Sequence, residues 1–307
     1  MNFFNKKSLV TKLFIFCIVG FLIVFIVDPF TFLKQSNTPT TIPTATSTQN
    51  TLRDNQLTVE QIKAEELITK APVVKKDDVI NQPPEKPLHQ VTLPNFAKIT
   101  NIKEKKTAFF NFIKPAVIQE SENILMKRKR VESYLALVSL EDPLTDEALN
   151  DIAQLSKEYK VNKTLSMLTQ LNQLHSKIDI VPTALVLVQA ANESAWGTSR
   201  FAKVGLNFFG IWCYKKNCGM IPKGRDNGEK HEVAAFKSVD QAVSRYFKNI
   251  NTHNAYMIFR TIRAQLRAQN QPLQAEVLAT GLIPYSERGV EYVIDINTML
   301  RQNQAYF

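Results

Sequence analysis

The residue of this chain best suited to chemistry is Glu193, within QAANESAW. It follows ALVLVQAA, a run apolar on most of a helical surface and therefore expected inside a domain. Pro182 suits the first position of that helix, where its missing N–H would be unpaired anyway, and Gly197 can end it. A carboxylate in the last turn of a buried helix meets two effects that disfavour its charge: burial and the negative end of the helix dipole. Such a group keeps its proton towards neutral pH, as a general acid must. Trp196, three residues on, is expected near the same face, where it would dry the site. The alternative is a helix end whose Glu merely reaches solvent.

Other candidates follow it in the chain. Phe208, Phe209 and Trp212 lie among amides and glycines, Glu229 stands at a turn with Glu232 just after it, and Tyr285 stands in a Pro- and Gly-bounded loop. Aromatics interspersed with amides suit a sugar groove, because a pyranose has an apolar face and a polar rim. A proton donor on a dry wall with a partner across a groove is the logic of glycoside hydrolysis. The same aromatics could equally be core. Cys213-x4-Cys218-x12-His231 matches three ligands of a zinc-finger-like spacing, but His253 is too far along to complete it. A loop-closing disulfide between the two cysteines is the preferred reading if this region lies outside the cytosol, so no metal or cofactor is expected. His231-Glu232 runs on to Val233-Ala234-Ala235 and so is no H-E-x-x-H, and no phosphate-cradling glycine loop stands out.

The elements that would position these residues are mostly helical. Apolar periodicity runs through 102–140, with Pro115 a helix start or kink. Thr145, Asp146 and Glu147 suit the N-terminus of the next helix, and 165–178 carries Leu168, Leu171 and Leu174 on one side. Two short runs around the DNG turn at 226–228 read as a β-hairpin within 220–236. Helices are expected again at 238–250, 255–268, 273–280 and 290–300.

The N-terminal third differs. Lys6, Lys7 and Lys12 precede an uncharged apolar run at 13–27, and counted over 8–33 the segment is long enough to span a bilayer. Bulky residues continue to its end, which favours an uncleaved anchor over a signal peptide, with its N-terminus cytoplasmic. QSNTPTTIPTATSTQNT cannot bury enough surface to fold and reads as a tether. The expected organisation is therefore an anchor at 1–34, a linker at 35–90 and a folded unit at 91–307. The net charge of +10 fits an acidic polymer partner, but no RNP, zinc-finger or recognition-helix signature favours nucleic acid.

The strings QAANESAWGTSRFA and NFFGIW resemble the N-acetylglucosaminidase domain of glycoside hydrolase family 73, shared by peptidoglycan hydrolases. WCYKKNCG, HEVAAF, NINTHNAY and LIPYSERGVEYV are similar to the Bax-like members of that family. The resemblance covers roughly 95–307 and leaves out the anchor and the tether. It implies a lysozyme-like α+β fold, mainly helical, with a small β-hairpin lobe beside a groove. It implies hydrolysis of the β-1,4 bond after N-acetylglucosamine in periplasmic peptidoglycan. Glu193 matches the family's catalytic acid and Tyr285 its active-site tyrosine, while Trp196, Asn207, Phe209, Trp212 and Tyr292 are assigned to substrate binding. One departure stands out: the family's second Glu lies on the first hairpin strand, and IPKGR has no carboxylate. Glu232 is then the favoured base, ahead of Glu229, because a strand holds a base more firmly than a turn. Otherwise the substrate's own acetamido group would serve. A lytic transglycosylase and a non-catalytic glycan-binding envelope protein are the alternatives.

Overall fold

Side-chain oxygens of Asn101, Thr145, Ser166, Ser199 and Ser238 each accept a backbone N–H from the first turn of the helix that follows. In chain order the helices so opened include α1 (Ile102–Ser139), α2 (Asp146–Glu158) and α3 (Met167–Lys177). Next come α4 (Thr183–Glu193), whose N-cap is Pro182, and α5 (Arg200–Gly205). A small sheet follows, β1 (Trp212–Cys213), β2 (Gly219–Met220) and β3 (Glu232–Ala234). The chain ends in α6 (Val239–Thr252), α7 (Met257–Ala268), α8 (Ala275–Ala279) and α9 (Val290–Gln302), with 3-10 turns between and after them. The computed structural model describes residues 85–222 and 230–307. The expected anchor at 1–34, the tract after it and the DNG turn with Glu229 lie outside the described residues. Among the described residues, no helix is long and apolar enough to cross a membrane.

The middle of the molecule is α4. Leu185 through Ala191 are all buried, Gln189 included, so this helix has no solvent face over that span. Helix α1 packs along α3, α4 and α6, and α9 packs on α4 from another side. The expectation of a helix start at Pro115 is corrected: α1 runs through it as one 38-residue helix. Leu168 is corrected as well. It is 47 % exposed, while Gln170 turns inward with Leu171 and Leu174 and donates to the Lys163 and Leu165 carbonyls.

The sheet is antiparallel in the order β1-β3-β2, pairing Trp212 with Val233 and Gly219 with Ala234. The second expected strand is β3. Its antiparallel partner β2 lies at Gly219–Met220, just before the IPKGR run expected to supply the first strand, most of which lies outside the described residues. Strand β1 pairs on the far side of β3. At Gly219 a Cβ would lie 1.9 Å from the Val233 carbonyl oxygen, so only glycine permits this strand approach. Residues of the expected linker are also tied down. Glu85 pairs with Arg200, Leu88 N–H donates to the Val204 carbonyl, and Lys237 Nζ donates to the Leu88 carbonyl.

Candidate active site

Glu193 is the last residue of α4, half-buried on the wall of a groove of about 540 Å³. Burial pushes its carboxyl above the ordinary glutamate value. Tyr292, an amide donor on Asn192 (3.3 Å) and the charge of Arg288 pull it back only in part. The net direction is that of a group still protonated where a free glutamate has ionised.

Behind the acid lies a polar chain inside the core. Tyr246 O–H donates to Gln189 Oε1, and Gln189 Nε2 donates 2.8 Å to the Tyr292 hydroxyl oxygen. With its oxygen so engaged, Tyr292 keeps its own proton for the Glu193 carboxylate, with which it interacts. Burial, together with the nearby negative charge of Glu193, holds the phenols of Tyr246, Tyr256, Tyr285 and Tyr292 above the ordinary tyrosine value. They are neutral donors at any physiological pH.

Immediately after Glu193 the backbone takes three left-handed conformations in succession, at Ala195 (φ 49°), Trp196 (φ 57°) and Gly197 (φ 75°). Each non-glycine residue there costs about 1 kcal/mol. The turn is held by Ser194, whose hydroxyl donates to the Ala190 carbonyl and accepts the Gly197 N–H at 2.8 Å. It sends Trp196 away from the groove. The indole packs edge-on against Phe109 and Phe110, with Lys106 over its ring, and does not line the groove among the described residues.

The facing wall is the loop 207–211. Asn207 is buried, and both ends of its amide are engaged. Nδ2 donates to the Ile211 and Ala234 carbonyls, while Oδ1 accepts the Phe209 and Ile211 N–H groups. Its contribution is to fold the loop and fasten it to β3, with no amide group left over for a ligand. Phe209 stacks on Tyr246 at 4.4 Å, and its carbonyl accepts the Tyr285 hydroxyl proton at 2.8 Å. Tyr285 in turn stacks on Tyr292 with ring centroids 5.4 Å apart. Gly210 (φ 64°) passes so close to the acid that a Cβ there would sit 3.7 Å from Glu193 Oε2. Trp212, 47 % exposed with its ring tilted against His231 at 4.1 Å, and Tyr214, 77 % exposed, form the open aromatic rim.

Of the residues named from sequence, the fold brings Glu193, Phe209, Trp212 and Tyr285 to the groove, with Tyr292 behind the acid. Glu232 is elsewhere. It is 5 % exposed on β3, its two carboxylate oxygens accept the Asn217 and Gly219 N–H groups at 2.9 and 2.8 Å, and it does not line the groove. Cys213 and Cys218 beside it form a disulfide, which leaves neither sulfur as a thiolate for a metal. Glu193 is the one carboxylate among the described residues that line the groove.

Sequence reasoning missed several lining residues. Arg245, Lys248, Asn249 and Thr252 share one face of α6 at i, i+3, i+4 and i+7, a spacing visible in the sequence that reads equally as an ordinary solvated face. Gln189, the lone polar residue in an apolar run, was the available signal for the buried chain.

Residues 168–305 match the glucosaminidase family model, described as mannosyl-glycoprotein endo-beta-N-acetylglucosaminidase. The chain is also 34% identical over 216 residues to the protein bax of Escherichia coli (strain K12), a match covering 69% of this chain and 75% of that one. No solved structure matches the chain.

Proposed function

This chain belongs to the Bax-like glucosaminidase family of glycoside hydrolases, and on that premise we propose that it cleaves the β-1,4 bond after N-acetylglucosamine in peptidoglycan. The carrying observation is Glu193: a carboxyl biased towards its protonated form, at the end of a buried helix, facing an aromatic-rimmed groove. In this reading Glu193 protonates the glycosidic oxygen as the bond to C1 breaks. The fold is then lysozyme-like, with the helices on one side of the groove and the small sheet on the other.

The absence of a second carboxylate among the described lining residues favours the substrate's 2-acetamido group as the partner. Its carbonyl oxygen bonds to C1 as the leaving oxygen takes the Glu193 proton, giving a cyclic oxazolinium. Water then attacks C1, reopens the ring and returns a proton to Glu193. Tyr285, fixed by its hydrogen bond to the Phe209 carbonyl, is a positioning residue for the sugar over the acid. The disulfide at the rim supports a location outside the reducing cytosol, in keeping with a periplasmic enzyme held to the inner membrane by an N-terminal anchor.

The test is reducing-end analysis of digested sacculi. New N-acetylglucosamine ends with retained anomeric configuration are expected. Inverted products would require a base from elsewhere in the chain, and 1,6-anhydromuramic ends would make the protein a lytic transglycosylase. The Glu193→Gln variant should lose at least about a hundredfold in kcat. Its melting temperature at neutral pH should be equal or higher. A carboxyl whose folded pKa is raised stabilises the fold at low pH and ceases to do so as pH rises through that value.

A further inference from the structure

Most arginines described in this structure face a carboxylate: Arg128, Arg130, Arg200, Arg263, Arg267 and Arg288 all do. Arg260 instead donates to the Ile250 and His253 carbonyls, whereas Arg245 opens onto the groove beside two lysines. Arg245 and Lys248 project from α6, and Lys160 comes from the end of α2, yet none of the three has an ion-pair partner among the described residues. Among the described residues, the one carboxylate lining the groove is Glu193, which sits at the end of a buried helix and is not paired with any of the three. Cations from two separate elements thus converge on a cavity whose described lining residues pair with none of them. A bare β-1,4-linked N-acetylhexosamine chain is neutral and gives them nothing to pair with either.

The opposite face of α6 explains why they are fixed there. Ala242, Val243, Tyr246, Phe247 and Ile250 are buried against the core, which sets the rotation of the helix about its axis. Arg245, Lys248, Asn249 and Thr252 then form a polar strip about 10 Å long on the groove side. The strip is built on a rigid element rather than on a mobile loop.

We propose that Lys160, Arg245 and Lys248 form an anion-reading wall that selects glycan bearing carboxylates on its substituents. The shared chemistry is a carboxylate projecting from the sugar chain. It has two sources in cell-wall glycan, the acidic residues of an attached stem peptide and the lactyl carboxylate exposed when that peptide is removed. This inference rests on the groove being the glycan site. It adds that the substituent, and not only the sugar, is recognised.

The experiment uses the whole chain and three ligands: peptide-bearing glycan strands, amidase-stripped strands that keep only lactyl carboxylates, and neutral chito-oligosaccharide. Dissociation constants and hydrolysis are both measured, for the wild type and for Arg245→Gln and Lys248→Gln. The preference for carboxylate-bearing over neutral ligand should fall about fivefold in each variant, and it should shrink with added salt. Lys98→Gln, an exposed cation outside the groove, should leave the preference as it is. Preference for peptide-bearing over stripped strands identifies the peptide as the anion read, and equal preference identifies the lactyl group. Equal binding of all three ligands by the wild type, or variants that weaken all three alike, would overturn the wall. If instead the wild type binds with this preference but hydrolyses none of them, the hydrolase reading fails and the wall stands.

Discussion

Tyr292 illustrates how much of this site is decided one hydroxyl at a time. Its oxygen accepts from Gln189, its proton is left for Glu193, and its ring carries Tyr285 in a parallel stack. The interaction with Glu193 lowers a carboxyl that burial has raised. Removing the hydroxyl in Tyr292→Phe should therefore let the acid's pKa climb further. Activity that needs protonated Glu193 falls as pH rises through that pKa, so the alkaline limb of the rate profile should move to higher pH. A kcat-against-pH series for wild type and variant checks the direction, and an unmoved limb would remove Tyr292 from the control of the acid. The variant also leaves the Gln189 amide facing an apolar ring in the core, a loss of about 1–3 kcal/mol of stability that thermal unfolding would read separately.

The elements are locked together by Asp179, just beyond the end of α3. Its carboxylate takes two hydrogen bonds from Arg267 of α7 and lies 3.5 Å from Arg128 of α1. Arg263, 1 % exposed, reaches past it to cap the end of α3 through the Ser176 and Lys177 carbonyls. Burial alone would raise the Asp179 carboxyl, but the three guanidiniums outweigh it and hold it below the ordinary aspartate value. Its contribution is thus present at neutral pH and lost as pH falls through and below the usual aspartate range. Asp179→Ala leaves buried guanidiniums without their counter-charge and should cost about 3–5 kcal/mol in denaturant unfolding at pH 7. That loss should shrink towards acid pH. None of this network was legible in the sequence, because its members stand far apart in the chain. What was legible is periodic. The apolar period of α4 exposed both the helix and its terminal Glu193. Strand β1 was missed because two residues carry no alternation to see. Trp196 was placed by helical spacing, and the left-handed turn at Ala195 and Trp196, rare for such residues, carried it to the opposite side. Asn207 was recognised as part of the right segment. Its engagement with Ala234 comes from another stretch of chain, and only the fold reveals it.

Every described residue belongs to one compact unit, and within it the two sides of the groove are built by unequal means. The acid's side is the hydrophobic core itself, since α9 packs on α4 and α1 packs on both α4 and α6. The rim is two- and three-residue strands, plus a loop closed by Cys213 and Cys218 at a separation of five residues. A staple across so short a loop contributes about 2 kcal/mol, which matters little to the core and much to the segment that carries Trp212 and Tyr214. Reduction should therefore be felt in KM, several-fold, with kcat and the helical circular-dichroism signal largely kept. Kinetics of the Cys213→Ser, Cys218→Ser double variant would measure it. On the proposed function this becomes a matter of timing. A chain whose Cys213 and Cys218 are still reduced would already hold Glu193 in place but grip glycan poorly, and would come into full strength only on oxidation.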